Sequence, residues 1–332
     1  MSEELNRRQF VKTSAAVSAG AILGLSLEEQ VLAAHQSKEA AAKTPVASAG
    51  DMPVGNIGGL KVSRLICGGN LISGYAHSRD LIYVSSLLRH YFTDQKVMET
   101  FRICEENGIN SAVLRLDDHC IRIINKYWKA LGGKLQWIAQ VTPKQNDLTT
   151  DAKRAIDNGA KAVYVQGGAA DKFVKEERVE LIGKVVDFIK QQGIVAGVGA
   201  HSINVPVAID AAGIETDFVM KTLHGANYWS ARRPEQHQDV ISNKADNYWS
   251  MTPDLTIRFM EEVSQPWLAF KVLAAGAIHP REGFKFAFEN GADFIVAGMF
   301  DFQVEEDANI ARDILAELTK RRRKRPWRGS SK

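Results

Sequence analysis

The chain has 332 residues, a length that fits two ordinary domains or one α/β barrel. Hydrophobic residues make up 45% and charged residues 24%, the balance of a folded globular chain and not of a disordered one. No apolar run reaches the roughly 20 residues of a membrane span, and three cysteines form neither a disulfide framework nor a metal-ligand pattern. The net charge of +3 comes from a basic end, Lys320 to Lys332, on a weakly acidic body, which argues against a nucleic-acid groove on the fold itself.

The chain opens with Asn6-Arg7-Arg8-Gln9-Phe10-Val11-Lys12, then a mild Ala/Gly-rich stretch from Thr13 to Leu27 and small residues around Val31-Leu32-Ala33. This order resembles the twin-arginine export signal of bacteria. The resemblance implies a signal over residues 1–34, cleavage near Ala33 or Ala34, and passage through the twin-arginine translocase to the periplasm or another extracytoplasmic space. The Ala, Lys, Ser and Pro of residues 35–52 read as a linker. Residues 53–319 then alternate strand and helix patterns. Beginning with a strand, the expected elements are Leu65–Gly68, Asp94–Asn107, Ser111–Leu114, Cys120–Leu131, Leu135–Val141, Asp151–Asn158, Ala162–Val165 and Glu176–Gln192. The second half continues with Ile194–Val198, Val205–Ala212, Phe218–Lys221, Pro253–Val263, Leu268–Val272, Glu282–Asn290, Phe294–Ala297 and Asp307–Lys320. Three of these helices end in Asn-Gly, where glycine supplies a left-handed stop. Eight strand–helix units without a G-x-G-x-x-G turn predict a closed (β/α)8 TIM barrel of the α/β class. Residues 320–332 read as a solvated basic tail.

Barrel enzymes place their chemistry at the carboxyl ends of the strands. In chain order that rim is expected to hold Asn70, His77, Arg79 and Asp80, then Arg115, Asp117 and Asp118, then Gln140 and Gln166. His201, Lys221, His224, Lys271 and Asp301 follow. Few of these would be chosen for packing, so their concentration at one end points to an enzyme.

Leu60-Lys61-Val62-Ser63-Arg64-Leu65 with Cys67-Gly68-Gly69-Asn70, Gly108-Ile109-Asn110, and Gly298-Met299 with Gln303-Val304-Glu305-Glu306-Asp307 resemble segments of the aldo/keto reductases. The resemblance implies the same barrel and, for that family, a nicotinamide cofactor with a Tyr, Lys, Asp and His tetrad. The tetrad does not carry over. Val113 stands where the Asp is expected, Gln140 where the Lys is, Gln166 where the His is, and Asp117-Asp118-His119 where the Tyr is. NADP is therefore the less favoured cofactor and a divalent metal the alternative, with His201 and His224 as candidate ligands completed by His77, Asp117 or Asp301.

Three chemistries remain open at this stage. His201 and His224 are candidates for acid/base catalysis. Lys221 and Lys271, on adjacent strands, could depress one another's pKa and supply charge stabilisation, proton transfer or a Schiff base similar to that of the deoxyribose-phosphate aldolases. Arg115 would hold an anionic or keto oxygen. The long loop after the sixth strand repeats Asn-Tyr-Trp-Ser, at 227–230 and 247–250. Its Tyr228 and Trp229 suit the faces of sugar rings, and Asn70, His77, Arg79, Gln140, Gln166 and Asp301 would bind the rest of a substrate. These readings converge on an exported barrel enzyme acting without net redox, as lyase, isomerase or hydrolase, on a small polyhydroxylated, carbohydrate-derived molecule. An aldo/keto reductase-like oxidoreductase and a non-catalytic periplasmic binding protein are the alternatives.

Overall fold

The computed structural model describes residues 51–75, 77, 81–232, 250–321 and 323–329. The chain enters through an antiparallel hairpin, β1 (Val54–Ile57) and β2 (Leu60–Ser63), which the sequence patterns did not suggest. Eight parallel strands follow: β3 (Leu65–Gly68), β4 (Ser111–Arg115), β5 (Gln136–Val141), β6 (Ala162–Val165), β7 (Val195–Ala200), β8 (Phe218–Thr222), β9 (Trp267–Phe270) and β10 (Phe294–Ala297). They close in sequence order, with β10 paired to β3. The expected (β/α)8 barrel is the fold.

The helices are α1 (Val84–Tyr91) and α2 (Asp94–Glu106) after β3, α3 (Asp118–Leu131) after β4, and α4 (Thr150–Asp157) after β5. α5 (Gly167–Lys175) and α6 (Val179–Gln191) follow β6, α7 (Asn204–Ala211) follows β7, α8 (Pro253–Glu262) follows β8, α9 (Pro280–Glu289) follows β9, and α10 (Val304–Thr319) follows β10. Gly108, Gly159 and Gly291 all have positive φ, as the Asn-Gly stops require.

Strand alternation sorts the core into two layers. Ile66, Val113, Ile138, Tyr164, Phe218, Met220, Leu268, Phe294 and Val296 fill the lumen, where Ile57 and Val62 of the hairpin join them as a plug. Residues of the other parity, such as Cys67, Leu114, Val163, Val198 and Val219, pack under the helices. Gly197 is required by this packing: a Cβ there would meet the Phe218 ring at 2.3 Å. The alternation also settles which rim side chains can face inward.

α1 and the turn before it expose Leu81, Ile82, Tyr83 and Leu87. One expectation is corrected: the basic end is not wholly solvated. Arg325 is 2% exposed, ion-paired to the fully buried Asp293, and donates to the carbonyls of Met260, Gly291, Val263 and Gln265. Trp327 lies between hydrocarbon and cation, with Arg323 stacked 3.6 Å from its ring centre and Arg64 at 4.4 Å. Asn56 donates its backbone N–H to the carbonyl of Gly329, tying the segment to the hairpin. Arginines that look like a charge run are here the capping layer of the barrel base.

Candidate functional site

His201 follows β7 directly and continues its inward parity, two residues beyond the lumen position of Gly199. The element that defines its chemistry is α5, which the sequence reading did not anticipate. Gln166 directly follows β6 and forms the N-cap position, and the small run Gly167-Gly168-Ala169-Ala170 opens a helix tight against β7. One turn in, Asp171 is 4% exposed. Its carboxylate accepts from His201 Nδ1 at 2.7 Å, from the His201 backbone N–H at 3.2 Å and from the Ser202 N–H at 3.0 Å. An ionised carboxylate only accepts, so the ring carries its proton on Nδ1 and presents the Nε2 lone pair. The imidazole is 23% exposed. Burial, followed by the Lys271 ammonium, holds its pKa below the ordinary imidazole value against the opposing pull of Asp171, with Lys221 adding to the depression.

Lys271 lies just past β9, not on it, with φ of 58°, and Ala274 and Ala275 are also left-handed. Non-glycine residues in this region carry strain of about 1–2 kcal/mol each. Phe270 packs between the two groups, its ring 5.5 Å from the His201 ring and 6.0 Å from Lys271 Nζ. Beyond Lys271, Ala274 and Ile278 are buried against Tyr228.

Lys221 is elsewhere. It shares parity with Val219 and is fully buried behind the strand. There Nζ donates to Thr222 Oγ1 at 2.7 Å and to the Thr222 carbonyl at 3.2 Å. Thr222 in turn donates to the carbonyl of His201. The expected pair of lysines in one cleft is thus corrected: Lys221 braces the strand that carries the site, and Lys271 stands at the rim.

His224 also changes role. It is 1% exposed, with Nδ1 3.0 Å from the Lys271 carbonyl, and Nε2 accepts the Ser250 N–H at 3.0 Å beside the Tyr228 hydroxyl at 3.2 Å. Burial lowers its pKa to about 4. Both nitrogens are engaged, so His224 offers no lone pair to an ion shared with His201. Among the described residues no cluster of three or more His, Cys, Asp or Glu could hold a metal.

Across the lumen, Arg115 ends β4 with the inward parity of Val113. Asp117, which caps α3 by accepting the Cys120 N–H at 2.8 Å, places its other oxygen 2.9 Å from Arg115 Nε, and the guanidinium stacks 4.5 Å from the centre of the Tyr75 ring. Asn70 Nδ2 and His77 Nε2 are 2.9 Å apart in the same β3 loop. Gln140 accepts the Tyr164 hydroxyl at 2.7 Å. Trp229 is 87% exposed.

At the rim beyond β10, the Asp301 carboxylate accepts from the Tyr91 hydroxyl and, at 3.0 Å, from Lys96. Arg79 and the second Asn-Tyr-Trp lie outside the described residues. Asp171 and Tyr75 were not singled out in the sequence. A small-residue run opening a helix before a carboxylate was the available signal for Asp171.

Residues 4–24 match the model of the TAT (twin-arginine translocation) pathway signal sequence. No curated protein matches the chain. Among solved structures, it is similar to the protein named "Putative aldo-keto reductase from Pseudomona aeruginosa", at 15% identity over 79% of this chain and 94% of that one, with a TM-score of 0.54. A second structure of that name and organism aligns at 14% identity over 81% and 99%, with a TM-score of 0.56. The apo form of Gox0644 aligns at 9% identity over 82% and 95%, with a TM-score of 0.54. At such identities the likeness concerns the fold alone: the chain is a (β/α)8 barrel bearing a twin-arginine signal that sends it through the translocase to an extracytoplasmic compartment.

Proposed function

We propose that the protein is an enzyme that transfers protons without net redox, as a lyase or isomerase, on a small polyhydroxylated, carbohydrate-derived substrate. The observation that carries this reading is the Asp171–His201 pair at the rim. His201 Nε2 takes a proton from the substrate, Asp171 stabilises the imidazolium that forms, and the Lys271 ammonium offsets negative charge developing on the substrate oxygen. The lowered pKa of His201 keeps it neutral, in its base form, at ordinary pH.

The residues do not fit the nicotinamide chemistry of the aldo/keto reductases. The acid–base tetrad positions hold Val113, Gln140 and Gln166, and the Gln140 carbonyl is already engaged by Tyr164. Hydride transfer to a carbonyl would lack a proton donor there. The fold likeness still makes NADPH the natural competitor, and a fluorescence titration showing tight binding would favour the redox reading.

The direct test follows solvent deuterium into a panel of ketoses and sugar acids by NMR. Wild type should label a carbon-bound position, His201→Gln should not, and Asp171→Asn should be slower by about 10²–10⁴-fold because the ring loses its fixed tautomer. Labelling unchanged in His201→Gln would refute the assignment. Ligand binding without any exchange or turnover would favour the binding-protein alternative.

A further inference from the structure

Arg115 is held on two sides and open on the third. Asp117, itself fixed as a helix cap, stands 2.9 Å from Nε, although the N–H is not aimed at that oxygen. The Tyr75 ring covers one face of the guanidinium. Tyr75 is presented by a folded turn of the β3 loop, in which its N–H donates to the Asn70 carbonyl and Gly74 donates to Leu71. Gly74 has φ of 69°, and a Cβ there would come within 2.5 Å of Arg89 Cγ, so this turn is built around glycine. The Arg115 side chain remains 36% exposed at the lumen end of its strand, and no hydrogen bond from its Nη1 or Nη2 to an acceptor is formed among the described residues. A guanidinium held beside a carboxylate at Nε and under a ring on its face presents its planar pair of donors at a reduced ordering cost. That is the geometry that matches a carboxylate in bidentate fashion.

We infer that Arg115, positioned by Tyr75 and Asp117, is a carboxylate clamp, and that the substrate is a sugar acid rather than a neutral sugar. The inference rests on the barrel mouth being the substrate site. It also gives the proton transfer a chemical logic: a carboxylate anchored at β4 lets a carbon farther along the molecule lie toward His201 on β7, on the other side of the lumen. Lys271, whose Nζ lies 6.0 Å from the Phe270 ring that packs beside His201, adds positive charge to that side of the mouth, where it favours an anionic substrate.

The experiment is calorimetric titration of the purified full chain with D-galacturonate, D-glucuronate and D-gluconate, beside D-galactose, D-glucose and sorbitol. At least one acid should bind at least about tenfold more tightly than its neutral counterpart. Arg115→Met should erase that preference. Arg115→Lys should recover it only in part, because an ammonium keeps the charge but not the fork. Tyr75→Leu should weaken acid binding a few-fold, and it serves as the second variant if Arg115→Met does not fold. Equal binding of acids and neutral sugars, acid binding unchanged in Arg115→Met, or no binding of any acid overturns the clamp.

His201→Gln separates this outcome from failure of the proton-transfer reading. It should keep the acid preference while losing deuterium exchange. Acid binding with exchange intact in His201→Gln would leave the clamp standing and remove the assigned base.

Discussion

The two rim histidines differ by what surrounds them, and that difference makes a pH prediction. His224 is buried, its nitrogens are fixed to the Lys271 carbonyl and the Ser250 N–H, and its pKa lies near 4. In the unfolded chain the same imidazole titrates near 6.5. Because the folded value is depressed, the unfolded state binds more protons between these values. Stability is therefore complete above about pH 6.5 and falls as the pH drops toward 4, by about 3 kcal/mol from this residue alone. Equilibrium denaturation across that range should show the loss, and His224→Gln should flatten its slope. An unchanged slope would mean that other groups carry the acid lability. His201, with its pKa also lowered, should give a catalytic profile whose acid limb falls below the ordinary imidazole value, since the active form is the neutral base.

At the level of elements, the periodicity of apolar residues gave every barrel strand, because a strand buried on both faces is a short continuous apolar run whatever its neighbours do. Leu65–Gly68, Ala162–Val165 and Phe294–Ala297 were placed to the residue. The misses share a cause. The hairpin β1–β2, the helix α5 and the C-terminal segment take their structure from what they touch, not from their own pattern. The site follows the same rule. The inward parity of His201 and Arg115 could be read by counting along a strand. The outward parity of Lys221 could have been read too, but two lysines near one rim invited pairing on chemistry instead. Asp171 required knowing that Gly167 to Ala170 begin a helix. Arg325 is the sharpest case, since its context is a run of arginines that suggests solvent. Removing it takes from Asp293 its ion-pair partner, leaving only the N–H groups of Trp267 and Arg328 and the charges of Arg64 and Arg323 around it, and leaves four carbonyls without their donor. Arg325→Met should therefore cost roughly 3–5 kcal/mol, the range for breaking one side of a buried ion pair. Urea denaturation would measure it, and Lys324→Met, whose side chain is 74% exposed, is the control expected to change little. A loss at Arg325 no larger than that of the control would return the segment to the status of a tail.

For the whole molecule, the export route and the fold constrain one another. The barrel closes only when β10, at the end of the fold, reaches β3 at its start, and the segment carrying Arg325 then seals the base against the hairpin. Contacts of such sequence separation form late and slowly, and a barrel threaded as an unfolded chain would have to make all of them after crossing. A twin-arginine signal fits a chain that completes its barrel first. The paired arginines are the recognised feature, so changing Arg7 and Arg8 together to lysine keeps the charge and should block export. The precursor should then accumulate in the cytoplasm as a folded, protease-resistant barrel, and fractionation with immunoblotting would detect it there at full length. If the lysine variant reaches the periplasm at the wild-type level, a general secretory route is carrying the chain. The Arg325→Met variant joins the two ends of this argument. With the wild-type signal, weakening the base should lower the exported fraction along with the stability, because the step that closes the barrel precedes the step that moves it.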